Sequence, residues 1–416
     1  MVPGLAPRRA ASLPAAHSPS PATRAAAPRA APPPPRRYPA AAAPRRAPRA
    51  VAAGAMAADA SPTPAAAGTN GAPKAQLSVA IFSVSDYVLD FLEAPFAAAF
   101  SRTTFIPHRF DAASAPLAAG HDAVCLFVND DADAAAIDAL ADAGVKFIAM
   151  RCAGFDRVDL AACARRGLRV LRVPAYSPRS VAEMALALAL AAARHLKAAN
   201  ARVGVGNFGL SGIVGLELSG KTYGVVGTGA IGLEFVKLLR GFDGRVLAHD
   251  VRENAAAIAA GAEYVDLDTL LRESDVVSLH TPLLPSTKHI MCAKRLALMK
   301  PEAILVNVSR GGLIDTAALL RSLKTLGRPG AVALDVYEAE GSLFFQDFSN
   351  LAPAKRMAAW DSAFTELHAL PQVLATPHVA FLTKEALANI AETTVENLRA
   401  AAAAAPGAPL PNEVEA

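Results

Sequence analysis

Three polar residues, far apart in the chain, are of the types that the chemistry of a single reaction would need. Arg310 follows the apolar run AILVNVS, Glu340 ends the segment DVYEAE, and His378 follows VLATP. A guanidinium can grip a carboxylate through two parallel hydrogen bonds and polarise the neighbouring carbonyl. An imidazole can hand a proton to that carbonyl oxygen as hydride reaches the carbon, and a carboxylate beside it stabilises the imidazolium. Together they are what hydride transfer to a 2-keto acid requires. Singly, each has an ordinary reading. An arginine after a strand is usually a surface charge, Glu338 in the same segment reads as a solvated carboxylate, and a loop histidine more often packs or caps than reacts.

Hydride needs a donor, and a second motif offers it a place. KTYGVVGTGAIGLEFVKLL reads as a strand, then Gly227-x-Gly229-x-x-Gly232, then a helix. Gly227 permits the tight turn, Gly229 lets backbone N–H groups approach a pyrophosphate at the helix N-terminus, and Gly232 allows helix to pack closely on strand. The next strand, RVLAHD, ends in Asp250, eighteen residues after Gly232, where a carboxylate accepts hydrogen bonds from the adenosine ribose. That carboxylate would repel a 2′-phosphate and so favours NAD, although Arg252 could soften the preference.

Alternating strands and helices must position these groups. LSVAIF (77–82), AVCLFV (123–128), VKFIAM (145–150) and LRVLRV (168–173) are short apolar runs, with helical stretches at 85–100 and near 158–166 between them. A second series runs from Thr222 to about Ala375. Repeats of this length predict an α/β fold of two Rossmann-like or flavodoxin-like parallel-sheet domains. The glycine motif lies about 150 residues into the folded body, so the substrate domain comes first and the NAD-binding domain is inserted in it. The expected boundaries are 76–176 plus 377–400 for the substrate domain and 177–376 for the cofactor domain. A long Ala/Leu helix is expected over about 179–200, and a low-complexity tail over 401–416.

Composition narrows the function classes. The chain has 416 residues, 53% of them hydrophobic and 19% charged, but the apolar excess is largely alanine. The longest candidate span, 185–193, falls far short of the roughly 20 residues a membrane helix needs. Nine arginines and no acid lie in residues 1–58, so the net charge of +4 leaves −5 on the remainder, which argues against a nucleic-acid footprint. Cys125, Cys152, Cys163 and Cys292 are too scattered for a disulfide framework or a CxxC site, and the histidines show no ligand spacing, so no metal is expected. Residues 1–75 are Ala, Pro, Arg and Ser, unable to offset the entropy of ordering, and are expected to be disordered. An Arg-rich leader without acids or an apolar central run resembles an organelle transit peptide. Its prolines and Val51-Ala52-Ala53 favour the plastid stroma, with the mitochondrial matrix as the alternative and a solvated basic tail as the ordinary reading.

The segments FVNDD (127–131), RCAGFDRVDL (151–160), VPAYSPRSVAE (173–183), GKTYGVVGTGAIG, VNVSRGGLID, DVYEAE and HVAFLTKEAL (378–387) occur in this order. Through them residues 77–399 resemble the D-isomer-specific 2-hydroxyacid dehydrogenases, most of all the fermentative D-lactate dehydrogenases. The resemblance implies that Arg310 binds substrate, that His378 is the acid/base and that Glu340 is its paired carboxylate. It further implies that N–H groups around Ala153 and Gly154 hold the substrate carboxylate, with Tyr176 close by and Phe381 facing the substrate side chain. For NAD it implies Gly227, Gly229, Ala230, Ile231, Gly232, Asp250, the Thr281-Pro282 turn, Asn307, and Asp335 near the nicotinamide amide. The activity so implied is reversible reduction of pyruvate to D-lactate by a homo-dimer or homo-tetramer. A bulkier 2-keto acid, or a non-catalytic NAD-sensing scaffold, are the alternatives. The stretch between Glu340 and His378 is longer than the family usually shows, so the active-site rim is expected to differ. Arg157 and Arg179 are extra cations near the substrate loops, each also readable as a surface charge. His280 is placed to approach the cofactor or to serve structure, and oxidation of Cys152 is a conceivable gate.

Overall fold

The computed structural model describes residues 73–414, so the expected leader lies outside the described residues except for its last three. The chain first lays down β1 (Ala75–Ile81), β2 (Phe100–Phe105), β3 (Ala123–Leu126), β4 (Phe147–Met150) and β5 (Arg169–Arg172). They pair in parallel in the order β2-β1-β3-β4-β5, the flavodoxin-like order. β2, FSRTTF, sits at the sheet edge with only Phe100 fully buried, so it carries no apolar run that would announce it.

The second sheet holds β6 (Thr222–Val226), β7 (Arg245–His249), β8 (Ala262–Tyr264), β9 (Val276–Leu279), β10 (Ile304–Asn307), β11 (Ala331–Leu334) and β12 (Val373–Ala375). Its order is β8-β7-β6-β9-β10-β11-β12, all parallel. The strand order reverses between β6 and β9, and such a switch point opens a crevice at the carboxyl ends of the strands. β9, β10 and β11 are buried along their whole length, as strands covered by helices on both faces must be.

Two expectations need correction. The Ala/Leu segment is two helices, Pro178–Ala193 and Leu196–Gly204, broken where His195 takes a left-handed φ of 50°. The first buries Val181, Ala185, Leu188 and Ala189 against the second sheet, while the second buries no side chain and so has nothing to hold it in line. Nor are residues 401–416 a mere low-complexity tail, since they continue the last helix to Ala403 and add an edge strand. The helix Lys384–Ala403 returns to the first sheet, where Ala391, Val395 and Leu398 pack with Leu77, Val79 and Phe96. Beyond it, Leu410 is buried beside Leu171, and β13 (Glu413–Val414) pairs antiparallel with β5, with Glu413 ion-paired to Arg169.

No described helix is long and apolar enough to cross a membrane. Among the described residues no cluster of His, Cys, Asp or Glu could hold a metal ion.

Candidate active site

His378 follows β12 on a loop that one carboxylate organises. Asp335, at the end of β11 and fully buried, accepts the Thr376 hydroxyl (2.5 Å) and the N–H groups of Val379 (2.9 Å) and Ala380 (2.8 Å). Its own carbonyl accepts the His378 N–H at 2.8 Å, and the loop so gripped holds His378 at a φ of 56°. Both Asp335 oxygens thereby shape the loop that carries His378. Glu340 lies 2.9 Å from His378 Nδ1, and its second oxygen accepts the Tyr337 N–H at 2.9 Å. A carboxylate acceptor places the proton on Nδ1 and leaves Nε2 for the cleft.

Arg310 stands on the loop after β10. Asn307, buried, folds that loop by accepting the Ser309 N–H (3.1 Å) and donating to the Arg310 carbonyl (2.9 Å). The guanidinium crosses to the loop after β4, where its Nε donates to Asp156 at 2.8 Å. Burial works against its charge, but Asp156 more than offsets this and holds the pKa above the ordinary arginine value. Among the described residues the N–H groups of Ala153 and Gly154 find no protein acceptor. Arg172 fixes their segment by donating to the Ala153 carbonyl (3.0 Å) and lying over the Phe155 ring (5.3 Å). Arg151, buried, ties the same segment to β1 through the Phe82 and Ser83 carbonyls and lies 4.3 Å over the Phe127 ring. Sequence reasoning overlooked Asp156, Arg151 and Arg172, although all three stand in or beside the segments that it singled out.

Arg310, His378, Ala153, Gly154, Tyr176 and Phe381 line one cavity of about 520 Å³. Phe381 packs at an angle against Phe127 (5.8 Å) and edge-to-face against Tyr176 (6.3 Å), an apolar wall in which burial pushes the Tyr176 hydroxyl up to about 12. The long segment after Glu340 supplies the rim. Its Phe345, at a φ of 64°, meets Phe127 edge-on (5.1 Å) and covers the His378 ring (5.7 Å). Of the two extra cations, Arg157 faces Asp131 (3.8 Å), and Arg179 pairs on the surface with Glu183 (3.1 Å) and Glu234 (3.5 Å). Burial pushes the Cys152 thiol up to about 12, so it stays protonated at neutral pH, unlike the exposed low-pKa thiols that oxidise readily.

The glycine motif forms the adjoining crevice. Gly227 has a φ of 95°, and a Cβ there would lie 2.8 Å from the backbone of His280 and Thr281. A Cβ on Gly232 would sit 2.0 Å from the Gly227 carbonyl, whereas Gly229, capping the helix Ala230–Leu239, faces open space. Gly229, Ala230 and Ile231 line a cavity with Ala153, Tyr176 and His280, which brings the helix N-terminus up to the substrate loop. Asp250 ends β7 and accepts the Thr228 N–H at 2.6 Å and the Val251 N–H at 2.7 Å, fixing its carboxylate beside the glycine loop. Thr281 offers its carbonyl to the Ser309 hydroxyl (2.6 Å), and Pro282 lines the substrate cavity. His280 packs on Phe235 with both ring nitrogens unpartnered, and burial pushes it down to about 3. Two glycines where a Cβ would meet backbone, an open helix N-terminus and a carboxylate at the next strand end fit a dinucleotide.

The sequence pattern of the D-isomer specific 2-hydroxyacid dehydrogenase, NAD binding domain, matches residues 186–380. The chain is 42% identical to the D-lactate dehydrogenase of Escherichia coli over 322 residues, 77% of this chain and 96% of that protein. It superposes with a TM-score of 0.74 on the structure described as the pyruvate reductase of Chlamydomonas reinhardtii, at 52% identity over 79% of this chain and 97% of the other. D-lactate dehydrogenase from Aquifex aeolicus, solved with NAD and lactic acid, matches at 31% identity and a TM-score of 0.67 over 78% of this chain and 95% of the other. The chain is an NAD-dependent oxidoreductase and belongs to the D-isomer-specific 2-hydroxyacid dehydrogenase family.

Proposed function

We propose that the protein reduces pyruvate to D-lactate, reversibly. The observation that carries this reading is the convergence of Arg310, the His378–Glu340 pair and the aromatic wall of Tyr176 and Phe381 on one cavity. NADH, when bound, supplies the hydride. Arg310 and the N–H groups of Ala153 and Gly154 grip the substrate carboxylate. His378, held by Glu340, gives its proton to the carbonyl oxygen, and takes it back in the reverse direction. In this reading residues 76–176 and 377–400 form the substrate domain and 177–376 the cofactor domain, closing on one another to exclude water. The relatives named for D-lactate and pyruvate support the choice of substrate.

The test is NADH oxidation with a panel of 2-keto acids. Pyruvate should give a higher kcat/KM than glyoxylate, hydroxypyruvate or phenylpyruvate. Preference for phenylpyruvate would turn the reading to a bulkier substrate, and NADH binding without any turnover would turn it to a sensing scaffold. The proposal extends to a fermentative role in a plastid, reached through the Arg-rich leader, and to a homo-dimer or homo-tetramer. Val205, Phe208, Leu210 and Val214, each at least three-quarters exposed on the arm after the helix Leu196–Gly204, support self-association.

A further inference from the structure

We propose that Asp156 is a positioning residue for the substrate carboxylate, acting through Arg310 from the opposite lobe; this rests on the reading of Arg310 given above. The guanidinium is held at two points. Its Nε donates to Asp156 Oδ2 at 2.8 Å, and its Nη1 donates to the Ser309 carbonyl at 2.9 Å. One bond comes from each lobe, so together they fix the plane of the group across the cleft. The edge formed by Nη1 and Nη2 keeps two parallel donors, the arrangement a carboxylate accepts in bidentate fashion. That edge cannot stray far from the substrate loop. Nη2 lies so close to Gly154 that a Cβ there would sit 1.9 Å from it. The free donors of Arg310 are thus pressed against the segment whose Ala153 and Gly154 N–H groups have no acceptor among the described residues.

Asp156 is the one carboxylate paired with Arg310 among the described residues, and it is nearly half exposed. Without it the long arginine side chain regains rotamer freedom that substrate binding must then remove. The loss falls on binding, alike in the ground state and the transition state, because Asp156 touches no reacting atom.

The experiment compares the whole protein with Asp156→Ala and Asp156→Asn in steady-state reduction of pyruvate by NADH. NADH affinity from its fluorescence and the thermal midpoint are measured alongside. Asp156→Ala should raise the KM for pyruvate about tenfold, the effect of a charge-assisted hydrogen bond discounted for exposure, with kcat changed by less than about threefold. Asp156→Asn keeps an oxygen that accepts the Nε–H, and its KM should stay within about threefold of the wild-type value. NADH affinity and midpoint should not move. An unchanged or lower KM in the Ala variant overturns the inference, as does an equal rise in the Asn variant or a parallel loss of NADH affinity. Wild-type protein that reduces no 2-keto acid sinks the reading of the site itself; an active wild type with an indifferent Ala variant sinks this inference alone.

Discussion

Glu338 and Glu340 leave the same turn two residues apart, and each meets a histidine: His289 at 2.6 Å and His378 at 2.9 Å. The residue types are identical, yet the surroundings are not. His289 and Glu338 are about one-third exposed, line none of the described cavities, and spend Nε2 on the pair while Glu338 also accepts the Thr316 N–H. His378 and Glu340 are 12% and 20% exposed, and the pair consumes Nδ1, leaving Nε2 beside the cleft that Arg310 also lines. A histidine–glutamate pair is therefore a latch or an acid/base according to which nitrogen remains free and what that nitrogen faces. A third imidazole, His280, completes the series with no carboxylate and almost no solvent.

The largest effect expected from this contrast is on turnover. His378→Ala should lower kcat by about 10² to 10⁴, the usual cost of a lost general acid, whereas His289→Ala should leave kcat within about twofold. Steady-state kinetics would erase the distinction if the two losses were alike. The next effect is on stability against pH. His280 is held neutral down to about 3, while in the unfolded chain it takes up a proton near its ordinary 6.5. The unfolded state therefore binds more protons across that window, and falling pH drains stability by about 1.4 kcal/mol per pH unit. His280→Phe should remove that slope between about pH 6 and 4 in denaturant titrations, and parallel curves for the two proteins would contradict the buried neutral ring. The smallest effect belongs to Glu338. Burial opposes its charge, but His289 and Thr316 outweigh it and hold the pKa below the ordinary carboxylate value. A depressed carboxyl stabilises above its unfolded value and loses that contribution as pH falls through the folded one. Glu338→Gln should thus cost about 0.5 to 1 kcal/mol at pH 7 and progressively less below about pH 4, with no loss of kcat.

What could be read from the sequence were the demands written into short stretches. The glycine spacing announces the crevice because each position has a steric reason within a few residues, most plainly Gly232 against the Gly227 carbonyl. Arg310, Glu340 and His378 stand out because strand ends in parallel sheets collect ligand-binding groups. Asp335 and Asn307 stand at such ends too, but their side chains turn inward to their own loops, which only backbone geometry reveals. Asp156 needs a partner 154 residues away before it means anything. β2 and β13 are edge strands whose identity comes from the neighbour they pair with, not from an apolar run of their own.

The return of the helix Lys384–Ala403 to the first sheet has a consequence for biosynthesis. The cofactor lobe emerges from the ribosome with all its strands in one continuous stretch and can complete its core during translation. The first lobe cannot. Its face around Val79 and Phe96 waits about 300 residues for Val395 and Leu398, so a nascent chain carries one finished lobe beside a sheet with its apolar side bare. Chaperone demand should accordingly concentrate on the earliest-made strands and persist until the last helix is free.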